Sequence, residues 1–338
     1  MKLKFSFLFF LIINFFFSQT VKIISSDDNT PIEGVVLMNK SGEYLGKTNV
    51  SGEMDESLTK NTDFLLMNHP LIIADTLFIN KIVNGEYKAK TIKETKIPEV
   101  NIVSSTKDFI IVKGYFNSYV TNNSEFNIFV DGIIEYVFDR KTGQYKSENI
   151  IEYRSFILDK KKDENRKEVA SYVFDDMLKL PEMKVINLLN NSGNDFSKIY
   201  SETDNKTIYV RTINRLTDKE FKLFGYVFKN GHRENILTFE GELSKPSPNR
   251  LSNFSNSNSM SVKHKSEEVF SKIIIVGNFY PTEIFFKNKN EMLKGVRFDR
   301  EVSNYKTKYW EQDSNASFYE FLSKQFKDSF KQKENKNK

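Results

Sequence analysis

The sequence predicts a mainly β protein of two domains: a small N-terminal sandwich, then a larger antiparallel β-rich domain carrying two amphipathic helices. Three observations predict it. Short runs of β-branched, aromatic and aliphatic residues recur along most of the chain, separated by Ser-Gly, Asn-Gly, Asp-Gly and Pro signals. Apolar spacing of helical period is confined to two stretches, 169–178 and 318–330. About 320 residues follow an apolar leader, the length of two ordinary domains.

The chain opens with an apolar leader that is not expected to be part of the fold. Lys2 and Lys4 make a basic start, residues 5–17 are apolar except for Ser6 and Asn14, and Ser18-Gln19 offers a small residue for cleavage. This pattern predicts a signal peptide over 1–18. A retained anchor would need roughly 20 apolar residues to cross a bilayer core, which this run does not reach.

Removing 1–18 takes away two lysines and no acid, so 50 Lys+Arg become 48 against 45 Asp+Glu and the formal charge falls from +5 to +3. So small an excess argues against nucleic acid as a partner. Residues 159–167 (DKKKDENRK) mix both signs and read as a solvated turn. Zero cysteines exclude a disulfide framework, a thiolate metal site, a cysteine nucleophile and a lipid on an N-terminal cysteine. Stability must then come from core burial, and no second apolar run has transmembrane length.

The first domain, 19–104, is expected to be a sandwich of short strands: 21–25, 32–38, 44–49, 64–67, 76–79 and 100–103. Gly42 and Gly52 fall between these runs, where reversals need positive φ. Asn84-Gly85 marks another turn.

Pro31-Ile32-Glu33-Gly34-Val35-Val36, then Gly42, then Gly46-Lys47-Thr48-Asn49-Val50-Ser51-Gly52, resembles the carboxypeptidase regulatory-like domain, a transthyretin-like β-sandwich. The stretch Ile97-Pro98-Glu99-Val100-Asn101-Ile102-Val103 is similar to the segment that often ends this domain in envelope proteins of the Bacteroidetes type. Asn49 stands where the family usually has Asp, and Met54 where it usually has an aromatic residue. The resemblance covers about 20–104. It implies a fold and an envelope setting and no catalysis, because the module is an accessory to enzymes and transporters. In such organisms Asp75-Thr76-Leu77 also fits a short O-glycosylation pattern.

The second domain, 105–330, is expected to be mostly antiparallel. Phe126, Ile128 and Val130 alternate with polar residues up to Asp131-Gly132, and 133–138 continues beyond, which predicts a hairpin. Asn230-Gly231 predicts a second hairpin, between 221–228 and 236–239. Further strands are expected around Ile208, Val210 and Ile213, and at 273–276, 283–286 and 296–302. Val169, Val173, Met177 and Leu178 line one helix stopped by Pro181; Phe318, Phe321, Leu322, Phe326 and Phe330 line the other. The Ser/Asn-rich stretch 246–265 holds only isolated apolar residues and is expected to be a mobile loop. The Lys-rich end, 331–338, is expected to be disordered.

The search for chemistry gives mostly exclusions. The histidines are His69, His232 and His264. His264 and Glu267 have the H-x-x-E spacing of two zinc ligands in metallocarboxypeptidases, but no histidine follows to complete the set. There is no H-E-x-x-H and no G-x-S-x-G. His69 and His232 sit in turn-like settings and are expected to face solvent. Asp175-Asp176 and Glu267-Glu268 are sequence neighbours that diverge on a helix, so neither makes an acid/base couple. Tyr305, Tyr309 and Trp310 form either a binding ledge or the cover of a helix–sheet seam.

The reading is therefore an exported, non-enzymatic envelope protein with no catalytic residue, no metal and no cofactor. It acts in binding or scaffolding, in the periplasm, at the outer membrane or secreted. Its expected partner is another envelope protein, or a hydrophobic or glycan ligand. Two alternatives stand beside it: a periplasmic carrier of a hydrophobic ligand, and a hydrolase with dispersed catalytic carboxylates.

Overall fold

The fold is seen in a computed structural model that describes residues 20–39, 44–69, 72, 76–91, 107–123, 125–158, 177–191, 196–202, 205–215, 219–292, 294–311 and 330–337. The leader, the turn at Gly42, the expected strand at 100–103 and the mixed-charge run 159–167 lie outside these residues. The fold class is mainly β, and the chain divides into two compact units between Ile92 and Lys93.

The first unit has two sheets. Strands β1 (Thr20–Ser25), β4 (Glu53–Asp55) and β7 (Glu86–Ala89) form one in the order β4-β1-β7; β2 (Val36–Met38), β3 (Tyr44–Lys47), β5 (Phe64–Asn68) and β6 (Thr76–Phe78) form the other in the order β3-β2-β5-β6. Ile23, Val35, Leu37, Leu65, Met67 and Leu77 meet in one buried cluster. Gly52 has φ +72, and a Cβ there would stand 2.6 Å from the Ile23 carbonyl oxygen, so both backbone conformation and space require glycine. Thr48 ties the motif internally: its buried hydroxyl donates to the Ile32 carbonyl at 2.7 Å and accepts from the Val35 N–H at 2.9 Å.

The second unit is built on one antiparallel sheet. Its strands are β8 (Phe109–Asn122), β9 (Glu125–Asp139), β10 (Tyr145–Leu158), β11 (Ser197–Ser201), β12 (Lys206–Arg215), β13 (Phe221–Leu223), β14 (Tyr226–Glu240), β15 (Leu251–His264), β16 (Ser271–Lys287) and β17 (Phe330–Gln332). They run in the order β11-β12-β14-β15-β16-β8-β9-β10-β17, with β13 beside β14. On the inner face, Val112, Phe116, Ile134, Phe254, Ile275 and Phe279 pack against Leu178, Met183, Ile186 and Leu189 of the segment that crosses the sheet. That segment contains the one α-helix of the described residues, α1 (Ile186–Asn191).

Several expectations are corrected. The dipeptide Asp131-Gly132 is not a hairpin tip: β9 runs straight through it. Gly132 is there for space, since a Cβ would lie 2.3 Å from the Glu152 carbonyl oxygen and 2.7 Å from the ring of Phe116, its cross-strand partner. Asn230-Gly231 is likewise internal to β14, where the pair faces the single residue Met260 and forms a bulge, with Asn230 at φ +52. The real two-residue turn is Phe224-Gly225, between Leu223 and its partner Tyr226. The runs 273–276 and 283–286 belong to one strand, β16, which absorbs Pro281 at a bulge. Residues 296–302 are not a strand, though Val296 bridges to Ile150.

The Ser/Asn-rich stretch is not a loop: β15 occupies it in the interior of the sheet, with β14 on one side and β16 on the other. Two neighbouring ladders satisfy its backbone, and its small polar side chains bond to those same neighbours, so few apolar groups are needed to order it. The Lys-rich end is also ordered through 337. β17 pairs with β10, and Lys333 and Lys336 pair with Glu301 and Asp299. Of the expected helices, most residues lie outside those described. Met177 and Leu178 are not α-helical, and Phe330 opens β17.

Replacing Gly132 by Ala is expected to destabilise the protein by about 2 kcal/mol, within the range for overpacking a filled core. Urea unfolding of the two proteins measures it; a loss below about 0.5 kcal/mol, the level of a surface change, would show that the contact with Phe116 is not tight.

Candidate functional site

Two arrangements of polar groups stand out in the second unit, one on each face of its sheet. The outer one is a row running across five consecutive strands. The register pairs Ser255 with Asn278, Asn278 with Asn117, Asn117 with Asp131 and Asp131 with Arg154, so one residue from each of β15, β16, β8, β9 and β10 stands in line. All five are buried. Ser255 Oγ donates to Asn278 Oδ1 at 2.9 Å, and Asn278 Nδ2 donates to Asn117 Oδ1 at 2.9 Å. Arg154 grips Asp131 with two bonds, Nε to Oδ1 at 3.0 Å and Nη2 to Oδ2 at 2.6 Å. Unpaired, either charge would be strongly disfavoured there; the planar fork and the carboxylate satisfy each other.

An aromatic cap seals the charged end of the row. Tyr309, fully buried, donates its hydroxyl to Asp131 Oδ1 at 2.9 Å. The Arg154 guanidinium lies 4.2 Å from the Trp310 ring centroid and 5.0 Å from that of Phe156. Tyr305 packs edge-on to Trp310, and Tyr115, Ile133 and Tyr280 of the sheet complete the cluster. The aromatic trio expected as a ledge or a seam is thus a cover on the sheet. Its position is held by the chain end: Asn335 accepts from the Tyr305 N–H at 3.2 Å and donates to its carbonyl at 2.9 Å.

The inner arrangement is a cleft of about 680 Å³ beside β10. One wall is Glu148–Ile150 of β10, a second is 178–182, and the third is 294–298. The walls are fixed by hydrogen bonds to backbone carbonyls. The Val296 N–H donates to the Ile150 carbonyl at 2.9 Å, and the buried Tyr136 hydroxyl donates to the Pro181 carbonyl at 2.6 Å. Pro181 also lies over Gly277, where a Cβ would stand 3.2 Å from its Cα. Asn187 of α1 closes the start of β10, accepting from the Tyr145 N–H at 2.7 Å.

The lining mixes apolar and charged groups. Leu178, Leu180, Val296 and Phe298 offer apolar surface, while Lys179 and Glu182 pair with each other at 3.2 Å. Burial raises the pKa of the Glu148 carboxyl, the Tyr145 hydroxyl bonded to it at 2.9 Å lowers it in part, and the charge of Glu182 raises it further. Tyr145 is held well above its ordinary value by burial and by Glu148. Lys294 and Arg297, both exposed, add positive charge at the third wall.

The residues singled out by sequence fall elsewhere. His69 is buried at the end of β5, against the expectation of a solvent-facing turn residue, and its carbonyl accepts from the Ile72 N–H. His232 lies within β14, with Nδ1 2.6 Å from Asn214 Oδ1. The H-x-x-E pair is a turn device: the Glu267 carboxylate accepts the His264 backbone N–H at 2.5 Å, and the imidazole Nδ1 meets Ser266 Oγ at 2.7 Å. Asp175 and Asp176 lie outside the described residues. Among the described residues, no group of three His, Asp or Glu side chains is placed to hold a metal ion, and no helix is long and apolar enough to cross a membrane. Thr76 of the glycosylation tripeptide is in β6, and its carbonyl accepts from the Tyr87 hydroxyl.

Sequence reasoning missed both arrangements. The row had one signal, an Asp beside a Gly inside an otherwise apolar run, which reads equally well as a turn. The cleft had none, because its three walls come from segments up to 150 residues apart. No family model matches the chain, and no curated protein matches it.

Asp131→Ala leaves Arg154 buried without its partner and is expected to destabilise by about 3–5 kcal/mol. Asp131→Leu combined with Arg154→Met is expected to be less damaging than Asp131→Ala alone, as read by urea unfolding. Equal losses would mean that the charge pair itself is not what the site depends on.

Proposed function

We propose that the chain is an exported, non-catalytic binding protein whose second unit holds a segment of another envelope protein in the cleft beside β10. The observation that carries this reading is the composition and fixation of that cleft. Apolar walls of Leu178, Leu180, Val296 and Phe298 alternate with charged groups, and backbone bonds at Ile150 and Pro181 hold the walls apart. A fixed, mixed surface of this kind suits a polypeptide, which brings apolar side chains and polar groups together. Lys294 and Arg297 favour an acidic residue in the bound segment.

The first unit, in this reading, is a carboxypeptidase regulatory-like sandwich serving as an accessory module. Its two sheets around one core and the tight fit at Gly52 support that. The leader supports export to the envelope. A carrier of hydrophobic ligands would need an enclosed apolar cavity. The described inner face of the sheet is instead filled by Phe116, Phe254 and Phe279 against Met183 and Ile186.

Crosslinking and affinity capture from the native envelope test the proposal, comparing the unaltered chain with a Leu180→Asp, Arg297→Glu variant. The expected result is a specific protein partner crosslinked to residues of the cleft walls and lost in the variant. The same partner recovered equally with both chains would contradict the assignment of the cleft.

A further inference from the structure

We infer that the β13–β14 hairpin, with the neighbouring 265–270 turn, is an anchor that docks the second unit on an anionic lipid surface. This goes beyond the cleft reading and uses none of its residues.

The turn carries an unusual residue. Phe224 and Gly225 have φ +48 and +84, the positive pair of a two-residue turn that ordinarily takes Asn-Gly. A phenylalanine there is strained, because its Cβ crowds the backbone in the left-handed region. Its side chain is also 90 % exposed, so the fold gains no burial in return. Neither stability nor solubility accounts for this residue; a contact outside the chain does.

The surroundings specify that contact. Phe221 and Leu223 are 49 % and 45 % exposed on the same hairpin, and Val269 is 77 % exposed in the next turn. The two turns are adjacent: Lys265 N–H donates to the Gly225 carbonyl at 2.8 Å, and Tyr226 pairs with His264. Exposed apolar groups therefore sit on two adjacent turns at the end of the sheet, which suits insertion among lipid headgroups better than a flat protein interface.

Charge points the same way. Lys222 and Lys265 are exposed beside the tip, Lys219 is exposed just before β13, and the Lys265 stem runs along the turn, its Cδ 3.7 Å from where a Gly225 Cβ would be. Behind them, Lys229 and Lys263 flank the Phe270 ring at 3.8 and 4.9 Å from its centroid. Among the described residues the acids on these turns are Glu220, Glu267 and Glu268, and the Glu267 carboxylate is already engaged by the His264 N–H. A protruding aromatic tip with a collar of lysines matches an anionic headgroup layer.

The test uses the exported chain, its N-terminus checked by mass spectrometry, with phosphatidylcholine vesicles made with and without phosphatidylglycerol. Co-sedimentation is expected with the anionic vesicles only, and to weaken at high salt. Phe224→Asn is expected to weaken it by about tenfold, while raising Tm by about 2 °C because the strain is relieved. Lys222→Glu with Lys265→Glu is expected to abolish the preference for the anionic lipid. No binding of the unaltered chain, or equal binding by the Phe224→Asn variant, would overturn the inference. A concentration-dependent dimer in sedimentation velocity, lost on Phe224→Asn, would also overturn it, in favour of a second copy of the chain at the tip. A lower Tm for Phe224→Asn would overturn its premise of strain.

Discussion

The bidentate pair between Asp131 and Arg154 is the constraint around which the larger unit is organised. A buried carboxylate tolerates no displacement from its guanidinium, so the pair pins β9 to β10 in one register. A second set of bonds, Ser255 to Asn278 to Asn117, ties β15, β16 and β8, and the register of β8 with β9 sets it directly beside Asp131. A one-residue slip anywhere in these five strands would turn a polar group of the row to the other face and leave its neighbour unpaired. Hydrophobic patterning alone would be a weak guide here, because the central strands are buried on both faces and alternate poorly. The polar row supplies the distinction between faces that the apolar residues do not.

This also explains how much the sequence could tell. The first unit was legible in part: the runs at 21–25, 44–49, 64–67 and 76–79 hold β1, β3, β5 and β6, helped by turn chemistry such as Asn84-Gly85 and Ser51-Gly52, whereas the short strands β4 and β7 that complete the first sheet carried too little apolar pattern to be anticipated. The long sheet was not. Asp131-Gly132 carries the strongest short-range hairpin signal in its region, yet Asp131 is there for Arg154 and Gly132 for the ring of Phe116. Asn230-Gly231 makes a bulge, while the true turn has a phenylalanine where the asparagine would be expected. In both places a tertiary requirement overrode the local preference that single-sequence reasoning depends on.

The Ser/Asn-rich segment teaches the same lesson from the other direction. Its composition forbids an independent core, and on that ground it reads as a loop. Inside a sheet that ground disappears, since the neighbours already satisfy its backbone and offer Asn278 to Ser255 and Arg233 to Asn258. The two proposed surfaces lie on this framework in different ways. The cleft is built from a strand edge and two crossing segments held by backbone bonds, which keeps its shape fixed. The aromatic hairpin projects from a short outer strand that pairs on one side only, where a strained residue disturbs nothing else.

Native-state hydrogen exchange tests the central claim most directly. If the polar row joins β15, β16, β8 and β9 into one cooperative body, the amides of Ser255, Asn278, Asn117 and Asp131 will exchange through a single opening with the free energy of global unfolding. Exchange of the β15 amides through a separate opening of much lower free energy than those of β8 and β9 would contradict it.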